Sequence, residues 1–203
     1  MKITLFLLGL AYLAGSLPSA FLIVKFFYAK NIYTCGSGNG GATNVYRLFG
    51  KKAGIIVFLV DFFKGFLPIF FVKYFQITNS QFILLLMIIS ALIGHTFPIW
   101  TKFKGGKGVA VSAGALTALV PIIAPFCLTT FIITIAISKY VSLASMNAAI
   151  SLPIFYAIYQ IIKPSSNFIL TETFFSIIMI LVLFFHRKNI LRLLHRKEPK
   201  IKR

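Results

Sequence analysis

The chain reads as an all-α integral membrane protein with seven transmembrane helices, one pair of them short or re-entrant, an external N-terminus and a cytosolic C-terminus. Three observations predict this. Of 203 residues 59% are hydrophobic, with mean hydropathy +0.92, which is far beyond the needs of a soluble core of that size. Apolar runs of membrane-spanning length recur along the whole sequence. The cations between them crowd the connections of one side.

The first run, residues 3 to 24, stands behind a single Lys2 and is longer than a signal-peptide core, without a clear small-residue cleavage site. It is expected to be a retained span. Runs at 54 to 72, 82 to 100, 144 to 162 and 168 to 185 each approach the ~20 residues that a crossing helix needs. The run from 109 to 138 is different. As one helix it would extend about 45 Å at ~1.5 Å per residue, too long for a ~30 Å apolar core. Pro121 and Pro125 also interrupt it, so two short helices are expected.

That division makes seven elements and puts the segments 25–53, 101–108 and 139–143 and the tail 186–203 on one side. These hold seventeen of the twenty-one cations: Lys25, Lys30, Arg47, Lys51, Lys52, Lys102, Lys104, Lys107, Lys139, Arg187, Lys188, Arg192, Arg196, Lys197, Lys200, Lys202 and Arg203. The opposite face has Lys2, Lys73 and Lys163, and Lys64 lies within a span. The positive-inside rule makes the rich side cytosolic. The whole is expected to be a single polytopic domain, residues 1 to 203.

The formal charge of +18 does not read as a nucleic-acid face, because the bases are confined to loops and a tail between apolar spans. Anionic membrane lipid and anionic substrates account for it better. Asp61, Glu172 and Glu198 are the only acidic residues, too few and too scattered for a carboxylate pair or a metal-dependent phosphotransfer site. No metal and no cofactor are implied. Cys35 and Cys127 lack metal-ligand spacing and are expected to be free thiols.

Chemistry is concentrated in the cytosolic connections. Gly36-Ser-Gly-Asn-Gly-Gly-Ala-Thr-Asn44, followed by Arg47, and Lys104-Gly-Gly-Lys-Gly108 are glycine-rich strings with cations beside them. Glycine lets backbone N–H groups converge on an anion, and a neighbouring Lys or Arg neutralises it. The second string is not a nucleotide P-loop, because Thr101 stands where the first glycine of that motif belongs. It does feed a helix near Val109, whose N-terminus favours an anion beside Lys107. Ser142 and Ser145 open another span, and His186-Arg-Lys-Asn189 closes the last. His95 reads as a helix-end residue, and Asp61 as an internal partner of Lys64 three residues on.

Taken in order, these strings resemble the PlsY family of bacterial membrane glycerol-3-phosphate acyltransferases, which use acyl phosphate as donor. The resemblance runs from Gly15-Ser-Leu-Pro-Ser19 through Gly36 to Arg47, Asp61-Phe-x-Lys-Gly65, Gly94-His95, Lys104 to Ala110, and Tyr140 to Ser145. It ends at His186-Arg-x-Asn189-x-x-Arg192, and so covers nearly the whole chain. Gly40 at a variable position, and Leu194-His-Arg-Lys-Glu198 where a glycine is frequent, are the departures.

The resemblance implies a multi-pass protein of the bacterial cytoplasmic membrane with its site at the cytosolic face. It implies transfer of a fatty acyl group to the 1-hydroxyl of glycerol 3-phosphate, giving lysophosphatidic acid and phosphate in phospholipid biosynthesis. Carried over by position, Ser37 with Gly36, Gly38, Asn39, Thr43 and Asn44, and Lys107 with Gly105, Gly106 and Gly108, bind phosphate. Arg47, Lys107, His186 and Asn189 hold glycerol 3-phosphate, and Ser145 completes the site as a hydroxyl donor. Contact with PlsX, the soluble enzyme that makes acyl phosphate, is implied in the same way.

Rival readings fit less well. A transporter of small phosphorylated anions is expected to show an inverted repeat and polar groups through the bilayer. A thioester-dependent acyltransferase brings an H-x-x-x-x-D signature, whereas Trp100, Leu191 and Lys200 stand five residues after the histidines. A CDP-alcohol phosphotransferase needs paired aspartates.

Overall fold

The computed structural model describes residues 2–201, so Lys202 and Arg203 of the tail lie outside the described residues. Among the described residues all regular secondary structure is helical, without strands. By packing they fall into two compact units, one ending at Leu119 and the other starting at Val120, where the sequence reads as one domain. Five helical stretches are long and apolar enough to cross a membrane: Lys2–Tyr28, Ala42–Tyr74, Gln81–Thr101, Val141–Ile162 and Phe168–Phe185.

In the first unit the helices are α1 (Lys2–Ser16), α2 (Ser19–Tyr28), α3 (Ala42–Tyr74), α4 (Gln81–Thr96) and α5 (Val109–Leu119), with 3-10 turns at Ile32–Thr34 and Ile99–Thr101. α1 packs on α4 and α3 on α5. Both contacts are backbone-close: a Cβ on Gly94 would collide with the carbonyl of Tyr12, and one on Gly114 with that of Phe62. Since lipid is as apolar as leucine, such close approach is how membrane helices gain contact.

The predicted first span is one apolar stretch, Lys2–Tyr28, made of two helices. Pro18 has no N–H to donate, and the helix stops at Ser16 and restarts at Ser19. The Ala14 carbonyl, which Pro18 cannot serve, accepts the Leu17 N–H at 3.3 Å, and the Leu17 carbonyl accepts from the Ser19 N–H at 3.0 Å and from Lys64 Nζ at 2.7 Å, so both are satisfied inside the bundle. Proline alone does not decide this, because Pro68 and Pro153 sit inside continuous helices.

The segment 25–53 is also shorter than expected as a loop. α2 runs to Tyr28 and α3 begins at Ala42, so Thr43, Asn44, Arg47, Lys51 and Lys52 are helical. Gly50, at φ 89° and ψ 174°, interrupts α3 and divides it into 42–49 and 51–74. Ala20 and Val24 of α2, with Ile32, form a buried cluster against Val45, Ala53 and Val57 of α3.

The run 109–138 is divided as the prolines predict. α5 ends at Leu119, where Lys73 Nζ donates to the carbonyls of Ala118 and Leu119 at 2.9 Å each. A cation on the negative end of the helix satisfies groups that would otherwise be orphaned.

The second unit holds α6 (Ala124–Ser138), α7 (Val141–Ile162), α8 (Phe168–Phe185) and α9 (Arg187–Leu194). α7 packs on both α6 and α8, and Tyr156 meets Phe175 edge-on with ring centroids 4.9 Å apart. The connection expected at 139–143 narrows to Lys139 and Tyr140. The expected basic tail is structured: it contains α9, and beyond it the Ile201 N–H donates to the Lys139 carbonyl at 2.9 Å.

Candidate functional site

In the first unit, the two glycine strings are brought together. Asn31 accepts the Tyr33 N–H and caps the 3-10 turn Ile32–Thr34. The chain then passes through Gly36 (φ 58°) and Gly38 (φ 68°), left-handed conformations that a side chain would strain. Asn44, on the first turn of α3, holds this loop from inside. Its Oδ1 accepts the Ser37 N–H at 3.1 Å, and its Nδ2 donates to the carbonyls of Cys35 and Asn39 at 3.1 Å each. Asn44 is 4% exposed, whereas Ser37 and Gly38 lie on the surface.

The second string meets the first through the Gly40 N–H, which donates to the Gly105 carbonyl at 3.2 Å. Tyr33 reinforces the junction: its ring packs over Gly40 and its hydroxyl is bonded to Thr101. Burial pushes the phenol above its ordinary value, Asp61 adds to this and the Thr101 bond opposes it, so Tyr33 is neutral at physiological pH. Thr101 Oγ1 donates to the Lys104 carbonyl at 2.7 Å. Gly108 (φ 80°) then turns the chain into α5, and its carbonyl accepts the Ser112 N–H at 2.8 Å. Lys107, half-buried, stands at the N-terminus of α5. The arrangement can receive an anion: helix-end N–H groups, glycine backbone and a cation share one place.

Beneath the strings lies a buried polar cluster. Asp61, 1% exposed, accepts from Ser19 Oγ at 2.5 Å and from Lys64 Nζ at 2.8 Å, the latter being the expected i,i+3 pair. His95 Nδ1 stands 3.7 Å from the same carboxylate oxygen.

In the second unit, Ser145 Oγ donates to the Val141 carbonyl at 2.9 Å on the first turns of α7. His186 lies at the junction of α8 and α9, 3% exposed, with Nδ1 2.8 Å from the Val182 carbonyl oxygen. A carbonyl oxygen only accepts, so Nδ1 carries a proton there. Asn189 Nδ2 donates to Glu198 Oε1 at 2.7 Å, and Ser142 Oγ donates to the same oxygen at 2.8 Å. Arg192 Nε donates to Oε2 at 2.7 Å.

Burial pushes the Glu198 carboxyl up, but these three donors and the Arg192 charge outweigh it and hold it below the ordinary carboxylate value. Glu198 thus ties the start of α7 to α9. Sequence reasoning gave it no role, although it is one of only three acids and stands among cations. Tyr33 was missed too, and nothing in its local sequence marks it.

The glycerol-3-phosphate acyltransferase family model matches residues 5–196 of this chain. The glycerol-3-phosphate acyltransferase of Staphylococcus carnosus (strain TM300) is 42% identical over 208 residues, covering 100% of this chain and 99% of its own. That of Listeria welshimeri serovar 6b is 42% identical over 203 residues, with 100% and 99% covered. Two crystal structures of PlsY, an integral membrane glycerol 3-phosphate acyltransferase, superpose closely. The glycerol 3-phosphate form gives a TM-score of 0.88 at 38% identity, covering 98% of this chain and 96% of that one. The lysophosphatidic acid form gives 0.85 at 37%, covering 98% and 95%.

Proposed function

This chain belongs to the glycerol-3-phosphate acyltransferase family, and from that membership we propose that it transfers a fatty acyl group from acyl phosphate to the 1-hydroxyl of glycerol 3-phosphate. The products are lysophosphatidic acid and inorganic phosphate. The observation that carries this reading is the junction of the two glycine strings, with Lys107 at the start of α5. It is a place suited to a phosphate and poor in carboxylates.

An acyl phosphate is an activated mixed anhydride, so the protein has to orient, neutralise charge and accommodate one proton. The acceptor hydroxyl oxygen attacks the acyl carbon, the bond from that carbon to the phosphate oxygen breaks, and the hydroxyl proton passes to the leaving phosphate. We favour this substrate-assisted route over a base, because the chain has three carboxylates in all and one of them, Glu198, is engaged by three donors. Reaction by this route calls on no metal.

In this reading Lys107 neutralises the phosphate of either substrate, while Arg47, His186 and Asn189 bind glycerol 3-phosphate. Ser145 donates a hydrogen bond and is not acylated. Gly36, Ser37, Gly38 and Asn39, with Gly105, Gly106 and Gly108, offer backbone N–H groups. Asn44, whose amide is engaged by the loop, acts by holding its shape, and Thr43 opens α3 beside it. The chain is an integral membrane protein. Seven crossings, an external N-terminus and the site on the cytosolic face of the bacterial inner membrane complete the proposal. The test is phosphate release from palmitoyl phosphate that requires glycerol 3-phosphate.

A further inference from the structure

The geometry points to His95 as the residue that positions the Gly105–Gly108 turn, and with it Lys107, through the buried cluster at Asp61. This rests on the assignment of that turn to phosphate binding. His95 touches both glycines that precede Lys107. Its backbone carbonyl accepts the Gly106 N–H at 3.1 Å, and a Cβ on Gly105 would collide with that same oxygen. Its imidazole lies against Gly106, where a Cβ would overlap Nε2. The ring thus occupies the volume that a side chain at 106 would take.

The other edge of the ring faces the buried carboxylate of Asp61. Nδ1 stands 3.7 Å from Asp61 Oδ1, and that oxygen is held by Ser19 Oγ and Lys64 Nζ. Lys64 is pinned in turn by the Leu17 carbonyl. His95 and Asp61 are 6% and 1% exposed, so the ring has no open side into which to retreat. A continuous set of contacts therefore runs from the break at Pro18, through Asp61 and the imidazole, to the residue next to Lys107. Core filling alone does not require the ring to abut a glycine whose neighbour is a cation at a helix start. Loss of the ring leaves space under Gly106, and a displacement of about 1 Å at a positioning group costs up to ~10²-fold in rate.

His95→Ala, in purified protein, is expected to raise KM for glycerol 3-phosphate at least ~10-fold with a smaller change in kcat, because Lys107 remains but its loop is loosened. Hydrogen exchange of a peptide spanning 101–110 is expected to speed up in the same variant, a readout independent of turnover. Gly106→Ala alone is expected to lose binding similarly, and the double variant His95→Ala/Gly106→Ala to recover several-fold over Gly106→Ala, since the new methyl fills the vacated space. His95→Gln, which keeps bulk beside Gly106, is expected to lie between wild type and His95→Ala and serves if the alanine variant does not fold. KM within twofold of wild type in His95→Ala, or in His95→Gln where the alanine variant does not fold, with unchanged exchange at 101–110, overturns the inference. So does a double variant no better than Gly106→Ala. Inactivity of wild type toward acyl phosphate would instead overturn the functional reading, and the exchange data would still decide the positioning role.

Discussion

Lys107 places one positive charge at the start of α5, where the proposed reaction brings the phosphate of either substrate. Removing one such donor of transition-state stabilisation costs ~10²-fold or more in turnover, so Lys107→Ala is expected to lose at least that much, measured as lysophosphatidic acid formed. Wild-type-like turnover in the folded variant would contradict its role. His186 makes the complementary case. With Nδ1 committed to the Val182 carbonyl, substrate-assisted proton transfer predicts that His186→Gln raises KM for glycerol 3-phosphate more than it lowers kcat. A collapse of kcat at unchanged KM would make His186 the base. At this scale glycines and cations were legible because few other roles explain them in a lipid-facing chain. Asn44 was less so: its residue type suggests a ligand, while its amide is engaged by Ser37, Cys35 and Asn39.

Two elements depend on single side chains reaching across the fold. α5 ends under Lys73, and Lys73→Met removes the donor to the Ala118 and Leu119 carbonyls. A loss of about 1 kcal/mol is expected, read as a lower Tm in detergent, with no shift if water replaces the ammonium. The tail depends on Glu198. Its carboxyl lies below the ordinary value in the folded protein, so the stabilisation is fully present above the unfolded value and is lost as pH falls through the depressed folded one. Proteolysis after α9 is expected to accelerate in acid, and Glu198→Gln to show that acceleration already at neutral pH. The break at Leu17–Pro18 illustrates why elements were only partly legible. Pro68 and Pro153 are tolerated, whereas at Pro18 the Leu17 carbonyl takes the Ser19 N–H and the Lys64 ammonium, the latter a contact between residues 47 positions apart. Local sequence carries no mark of such a partner. The break in 109–138 was legible because length and two prolines agree.

For the whole molecule, hydropathy and charge asymmetry were enough to predict a helical membrane protein, since both follow from solvent and need no tertiary contact. The division into two compact units was not legible, because no composition shift or linker occurs near Leu119. Sidedness is testable directly. Single cysteines introduced at Lys102 and at Lys163, in a background lacking Cys35 and Cys127, are expected to differ in labelling by a membrane-impermeant thiol reagent on intact cells: 163 labelled, 102 protected. The reverse pattern would invert the proposed topology and move the glycine strings to the external face.

Transfer from acyl phosphate to glycerol 3-phosphate is the reaction that defines the proposed function. Phosphate release from palmitoyl phosphate by the purified protein, with and without glycerol 3-phosphate and with palmitoyl-CoA as parallel donor, tests it most directly. Release that requires the acceptor, equimolar lysophosphatidic acid and no use of the thioester are expected. Acylation from palmitoyl-CoA, or a folded protein that leaves palmitoyl phosphate intact in the presence of glycerol 3-phosphate, would contradict it.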